Sequence, residues 1–182
     1  MQMTYDKFAI TLHWLMALLI ILMIIMGYQL DELSPEELAN NLSWHSGTGV
    51  LLLILATIRL WWRYAHSPPP YPNSMSILKK RTAITVVHGF YFLMFLQPIV
   101  GLVQAMVYKS VEIRLFGVFG VGWLRELDKM WLDIFSMIHS IGAGALSLFV
   151  MFHLGAALKH RFIDRDEIMG RMSPFKRAHK SK

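Results

Sequence analysis

The sequence has no cysteine, and that absence removes several functions at once. Iron–sulfur clusters held by thiolates, covalently attached haem of the CxxCH type and disulfide bonds all need cysteine. Charged residues are also scarce, at 16% of the chain, whereas 55% of its 182 residues are hydrophobic. The composition therefore predicts one membrane domain, covering residues 1–182, and excludes an ordinary soluble enzyme.

Acidic and basic residues are missing altogether from four long stretches of the chain. These uncharged runs cover residues 8–30, 38–58, 82–108 and 134–158. Each is long enough for a membrane-spanning helix, which needs about 20 apolar residues. They predict an all-α fold, a bundle of four transmembrane helices. The first run is not followed by the cleavage site of a signal peptide, so we expect it to remain as a membrane anchor.

The basic residues, which give a net charge of +6, lie in particular connections and not in a patch that would bind nucleic acid. The connection 59–81 carries five Lys or Arg and no acid, and the tail after residue 158 carries eight against three acids. The connection 31–37 has four acids and no base. Because cytoplasmic loops are enriched in Lys and Arg, we expect both termini to be cytoplasmic, with anionic membrane lipid as the partner of these residues.

Five histidines lie within the four spans, where an ionisable side chain is costly and usually functional. His139 and His153 are fourteen residues apart, which places them on nearly the same helix face, about 21 Å apart along the axis. His45 in the second span has the predicted depth of His139, toward the outer surface. His13 and His88 are both predicted to lie at the same depth as His153, toward the inner surface. The spacing along the chain does not decide which of the two pairs with His153.

Pairs of histidines at two depths favour two haems, each with two axial histidine ligands. Zinc and copper sites gather three or four ligands at one point, and the spans contain no acid or thiol to complete such a cluster. A proton relay is the alternative, although relays across membranes generally include acids. Haem iron with two axial histidines has no open position, which favours electron transfer over oxygen binding.

Two further residues share a helix face with these histidines. Arg59 follows His45 by fourteen residues and can pair with a haem propionate, or it is a positive-inside residue that extends toward the surface. His160 follows His153 by seven residues. It can hydrogen-bond a quinone carbonyl or a propionate, or it is an ordinary histidine of the membrane interface.

The segments around these residues resemble the bacterial cytochrome b561 family over nearly the whole chain. They are, in order, ITLHW at 10–14, WHSGTG at 44–49, QPIVGL at 97–102, IHSIGAG at 138–144, HLGAALKH at 153–160 and RMSP at 171–174. The resemblance implies a multi-pass protein of the bacterial inner membrane with two haem b groups. It pairs His13 with His153 as ligands of the inner haem, and His45 with His139 as ligands of the outer haem.

The resemblance also implies an oxidoreductase, a superoxide oxidase that passes electrons from periplasmic superoxide to ubiquinone. No side chain is then expected to be catalytic beside the haems. The alternative is an electron-carrier cytochrome that takes electrons from quinol and gives them to a periplasmic or membrane redox partner. The physiological donor, the quinone type and the oligomeric state stay open at this point.

Two departures from the family pattern concern the quinone site, for which His88 and His160 are the candidates. In the family the histidine of the third helix precedes its tyrosine by four residues, whereas His88 precedes Tyr91 by three. A His-His pair near the inner end of the fourth helix is replaced here by Lys159 and His160. Neither departure involves the four haem ligands.

Overall fold

The computed structural model describes residues 4–72, 75–107, 113–121, 128–166 and 168–174. Its four long helices are α1 (Lys7–Gln29), α2 (Pro35–Ala65), α3 (Ile77–Val107) and α4 (Lys129–Lys159). Each is long and apolar enough to cross a membrane. The expected bundle of four transmembrane helices is confirmed.

Short elements connect and follow the helices, beginning with a 3-10 turn, Leu30–Glu32, between α1 and α2. Two-residue strands, β1 (Arg114–Leu115) and β2 (Phe119–Gly120), pair antiparallel between α3 and α4. We call the side of the bundle near these strands the hairpin end. The opposite side holds Thr4 and Pro174 and is called the terminal end. A π-helical turn, His160–Asp164, and a 3-10 turn, Met169–Met172, lie at this terminal end.

The helices α2, α3 and α4 extend beyond the uncharged runs that predicted them. Charged side chains in the terminal turns of a helix lie at the membrane surface, where water solvates them, so a charge does not have to end the helix. At the start of α2, Ser34 and Glu37 form a capping box, with the Ser34 hydroxyl 2.6 Å from the Glu37 carboxylate. Arg59, expected in a connection, lies inside α2 because this helix continues to Ala65.

The helices pack in sequence order around the bundle. α1 packs against α2, α2 against α3 and α3 against α4, whereas α4 makes few close backbone contacts with α1 or α2. An apolar core still joins all four helices. It consists of Leu12, Met16, Ile20, Leu52, Ala56, Leu93 and Leu146.

The β1–β2 hairpin packs against α3 and hydrogen-bonds α2 at the hairpin end. Its flanking residues Ile113 and Val121 are buried against Ala105 of α3. The backbone N–H of Phe116 donates to the Ser43 carbonyl of α2 at 3.2 Å. No alternation of polar and apolar residues long enough to predict these strands exists in the sequence, because each strand has only two residues.

Candidate functional site

The four histidines predicted as haem ligands meet as two pairs, one toward each end of the bundle. The ring centroids of His13 (α1) and His153 (α4) are 6.2 Å apart, with an angle of 78° between the ring planes. Those of His45 (α2) and His139 (α4) are also 6.2 Å apart, with an angle of 73°. Both pairs span the region where α4 stands away from α1 and α2.

The spacing within each pair fits one metal ion between two imidazole rings. Two metal–nitrogen bonds of about 2 Å, with roughly 1 Å more from each nitrogen to its ring centre, give a centroid distance of about 6 Å. Among the described residues, no hydrogen bond involves the Nε2 atom of any of the four rings. Two facing imidazoles with unengaged nitrogens match the axial ligands of a haem iron, and a structural zinc ion would need four ligands.

The second ring nitrogen, Nδ1, meets different neighbours at the two ends. The Nδ1 atom of His13 lies 3.4 Å from Nη2 of Arg59. The Nδ1 atom of His139 lies 3.1 Å from the side-chain amide of Gln97, which also donates to the His139 carbonyl and accepts from the Ala143 N–H. When a histidine binds iron through Nε2, its proton stays on Nδ1. The Gln97 amide would then accept from His139 with its oxygen, as the outer partners of metal-ligating histidines do, whereas the Arg59 guanidinium, which only donates, would not bond His13. Sequence reasoning missed Gln97, although a lone amide in the apolar run QPIVGL was a usable signal.

Glycines allow the close approach of neighbouring helices to the histidine pair at the hairpin end. A Cβ atom at Gly142 would overlap the Gln97 side-chain amide, and one at Gly101 would lie 2.9 Å from the His139 ring. A Cβ atom at Gly27 of α1 would lie 3.6 Å from the His45 ring, which is an ordinary contact. Glycine at positions 142 and 101 therefore lets Gln97 and α3 approach His139 closely.

An apolar layer separates the two histidine pairs. Leu146 is seven residues from both His139 and His153, so it lies midway between them on nearly the same face of α4. Leu52 of α2 and Ile20 of α1 belong to the same buried cluster as Leu146. Apolar side chains therefore fill the space between the two histidine pairs.

Arg59 lies beside the histidine pair at the terminal end. Its guanidinium is close to Tyr91 of α3, which lines the same cavity as Arg59, and it approaches His13. Its Nη1 atom is buried and has no hydrogen-bond partner among the residues that the structure describes. A donor in this position suits an anionic oxygen, such as that of a haem propionate.

The two remaining sequence candidates, His88 and His160, do not join the pairs. The His88 ring is exposed, and its Nδ1 atom lies 2.9 Å from the Ile84 carbonyl of its own helix. Phe90, two residues later, packs on His153 with centroids 5.3 Å apart. His88 is therefore on a different face of α3 from the residue that reaches the histidine pair.

His160 belongs to a charged cluster at the end of α4. Its Nδ1 atom lies 2.6 Å from a carboxylate oxygen of Asp166 and 3.6 Å from one of Asp164. Lys159 also contacts Asp164, at 2.5 Å. The sequence pattern did not predict these carboxylate contacts, because the π-helical turn that brings them together has no clear sequence signature.

Comparisons with known proteins give a family match and a similar protein. Residues 4–175 match the family described as prokaryotic cytochrome b561. A similar protein is cytochrome b561 homolog 2 of Escherichia coli (strain K12), which is 29% identical over 176 residues. That alignment covers 92% of this chain and 90% of the relative. The family match includes all four spans and both histidine pairs.

Proposed function

Since this chain belongs to the prokaryotic cytochrome b561 family, we propose that it carries single electrons between the two membrane surfaces through two haem b groups. Membership makes the chain a membrane electron carrier of a family that binds haem b. The number of haems, their ligands and the direction of transfer are our proposal. The proposal rests on the two histidine pairs, because the ring centroids within each pair are 6.2 Å apart.

The ligands that we propose are His13 and His153 at the terminal end, and His45 and His139 at the hairpin end. When bound, the two haems supply one-electron redox centres without an open iron position. Arg59 would bind a propionate with its unpaired Nη1 group.

The other residues of the site position these ligands. Gln97 holds the imidazole of His139 in one orientation through the contact at Nδ1. The buried layer around Leu146 keeps the space between the two histidine pairs dry. A dry, rigid site needs little rearrangement when an electron arrives.

The direction that we propose is from the periplasm to the quinone pool of a bacterial inner membrane. The excess of Lys and Arg in the connection 59–81 and in the tail supports a cytoplasmic terminal end and a periplasmic hairpin end. Two superoxide anions would each give up one electron and leave as oxygen. One ubiquinone would take both electrons with two protons and leave as ubiquinol.

A second function, transfer from quinol to a periplasmic redox partner, is favoured by one feature of the hairpin end. Val118 and Phe119 are 64% and 69% exposed at the tip of the β1–β2 hairpin. Apolar side chains exposed side by side at a membrane surface suit the docking of another protein. In this case the electron would leave the chain where superoxide would otherwise deliver it.

Superoxide consumption by the purified, haem-loaded protein, with and without added ubiquinone, distinguishes these two functions. A superoxide oxidase consumes superoxide at a rate that rises with ubiquinone and forms ubiquinol. An optical spectrum with pyridine haemochrome quantification of the same sample is expected to give two haem b per chain. Superoxide decay that is unaffected by the protein and quinone would rule out the oxidase while leaving the carrier.

A further inference from the structure

The charged cluster at the end of α4 brings an imidazole and two carboxylates together outside the two histidine pairs. Its members are His160, Asp164 and Asp166, and one ligand atom of each lies within 4.8 Å of the other two. No other three side chains of these kinds meet as closely among the residues that the structure describes. Imidazole together with carboxylates suits divalent transition-metal ions such as Zn²⁺, whereas Mg²⁺ and Ca²⁺ take oxygen ligands.

The distances within the cluster are close to those between ligand atoms of a bound metal ion. Metal–ligand bonds of about 2.1 Å place two ligand atoms of a tetrahedral ion roughly 3.4 Å apart. The Nδ1 atom of His160 lies 3.6 Å from Oδ2 of Asp164 and 2.6 Å from Oδ2 of Asp166. The first distance already fits. The second needs the Asp166 carboxylate, which is 35% exposed, to move outward by about 1 Å.

The backbone holds the three side chains around one turn. His160 and Asp164 are the first and last residues of the π-helical turn. The chain then reverses at Arg165, which has a left-handed φ of 52°, and the Asp166 N–H donates to the His160 carbonyl at 3.2 Å. Two ligands therefore come from one helical turn, and the third comes from the residue that folds back onto it.

The Lys159 ammonium is the cation that contacts this cluster in the structure. Its Nζ atom lies 2.6 and 2.5 Å from the two carboxylate oxygens of Asp164, and Lys79 of α3 also acts on Asp164 through its charge. The Lys159 side chain is 51% exposed. Because an exposed ion pair contributes little to stability, Lys159 can move into water and leave Asp164 to another cation.

We propose that His160, Asp164 and Asp166 bind one divalent transition-metal ion, with water in its remaining coordination positions. The Nδ1 atom of His160 and one oxygen of each carboxylate would coordinate the ion, and Lys159 would release Asp164. The two carboxylates balance the charge of the ion. This site takes no part in the proposed transfer of electrons, so the two proposals stand or fall separately.

A bound ion would connect the end of α4 to the C-terminal segment. The other carboxylate oxygen of Asp166 accepts from the Ile168 N–H at 3.0 Å, at the start of this segment. Further along the segment, the Met172 carbonyl accepts from the Trp14 indole of α1 at 2.8 Å. An ion that fixes Asp166 would therefore hold residues 168–174 more firmly against the terminal end.

Isothermal titration calorimetry with Zn²⁺ tests the site in the haem-loaded full chain, purified in detergent without a polyhistidine tag. One Zn²⁺ is expected to bind per chain. His160→Ala is expected to weaken binding at least tenfold, because even the loss of an outer partner of a metal site costs ten- to a hundredfold. His66→Ala is the matched control, since His66 is exposed at the same end and stacks on Trp62. Equal affinity in His160→Ala and the original chain would overturn the site, as would the absence of binding.

Two further variants separate coordination from an effect on folding. Asp166→Asn keeps the size of the side chain but removes a charged ligand, so the affinity for Zn²⁺ is expected to fall about tenfold. Lys159→Gln removes the competing cation, so the affinity is expected to rise about threefold. The optical spectrum of each variant checks that haem is retained, and Asp166→Asn decides if His160→Ala loses it. Unchanged affinity in Asp166→Asn, or weaker binding in Lys159→Gln, would contradict the proposed ligands.

Limited digestion with trypsin measures the effect of the ion on the C-terminal segment. At a Zn²⁺ concentration of about ten times Kd, cleavage after Arg165 is expected to slow up to about tenfold in the original chain, because the ion binds only the closed segment. The same cleavage is expected to be independent of Zn²⁺ in His160→Ala. Cleavage that Zn²⁺ does not slow in the original chain would show that the ion does not hold this segment, and that part of the inference would fail.

Discussion

At the scale of single residues, the two histidine pairs share one geometry but differ in the groups behind the rings. A cationic guanidinium, that of Arg59, stands behind His13, whereas a neutral amide, that of Gln97, stands behind His139. Contacts of this kind change the basicity of a metal-bound imidazole and its orientation. Haems bound at the two ends as we propose would therefore differ in potential despite the equal ring spacing.

The first prediction concerns Gln97. Gln97→Leu removes the amide behind His139, so we expect weaker haem retention at the hairpin end, by about tenfold, and a shifted potential of that haem. Gln104→Leu is the matched control, because Gln104 lies on the same helix and bonds Ser136 of α4 at 2.9 Å. Redox titration followed by absorbance measures both haems. Equal potentials in the two variants would show that Gln97 does not act on the haem.

The second prediction concerns the ligands themselves. His139→Ala is expected to remove one haem and leave the other, with roughly half of the Soret absorbance, because each site has its own two histidines. His88→Ala is the control, and it is expected to keep both haems, since the His88 ring is exposed and bonded to its own helix. Pyridine haemochrome quantification gives the haem count. Loss of a haem in His88→Ala, with two retained in His139→Ala, would contradict the ligand assignment.

At the scale of the elements, the start of α1 is fastened to the end of α2. The carboxylate of Asp6 caps α1 by accepting from the Ala9 N–H, and it also accepts from the Trp62 indole. Burial raises the pKa of Asp6, but the hydrogen bonds from Trp62 and Ala9 outweigh it, so the pKa lies below the usual value of 3.8. The ionised carboxylate is thus the form that stabilises this junction.

The third prediction follows from that junction. Asp6→Ala is expected to lower stability by about 1 kcal/mol, the usual effect of losing an N-cap. Because the pKa of Asp6 is lower in the folded chain, its stabilisation is present above pH 3.8 and is lost as the pH falls through the folded-state pKa. Thermal unfolding in detergent at pH 7 and pH 3 measures this. The difference between the original chain and Asp6→Ala is expected to shrink at pH 3, and Asp6→Asn keeps the cap as a control.

At the scale of the whole molecule, the distribution of basic residues predicts how the bundle sits in the membrane. The terminal end carries the connection 59–81 and the basic residues Lys159, Arg161, Arg165 and Arg171 of the tail, and the hairpin end carries the acidic connection 31–37. The positive-inside tendency therefore favours a cytoplasmic terminal end. The direction of electron flow depends on this orientation, because it decides which histidine pair faces the periplasm.

The fourth prediction tests the orientation, and the absence of cysteine makes the test simple. Val118→Cys introduces a single thiol at the exposed hairpin tip, and Ser76→Cys introduces one in the exposed segment before α3. A membrane-impermeant maleimide applied to spheroplasts is expected to label Val118→Cys alone, and both variants after lysis. Labelling of Ser76→Cys in intact spheroplasts would place the terminal end in the periplasm and reverse the proposed electron path.

The sequence by itself determined the four spans and the two depths of the histidines. Hydropathy identifies a span because the bilayer requires about 20 apolar residues in one run. Helical periodicity places His139 and His153 on one face because the α-helix repeats every 3.6 residues. Both properties are local along the chain, so no tertiary contact was needed to read them.

Only the tertiary structure decided which groups meet across the helices. Spacing left His13 and His88 as equal candidates to face His153, whereas the fold turns His88 outward and brings His13 to 6.2 Å between ring centroids. The rotation of α3 about its own axis makes this difference. That rotation depends on contacts distant in the chain, such as those of Gln97 with α4.

At the terminal end, a cavity of about 110 Å³ between α1, α2 and α3, with Arg59 and Tyr91 in its lining, was invisible in the sequence for the same reason. Its walls come from three helices and from the C-terminal segment, which are separated by up to 168 positions between Thr4 and Met172. No local pattern records which side chains converge from segments so far apart. The apolar interior of the membrane therefore determines each span from its own stretch of sequence. The sites form only where the spans pack against one another.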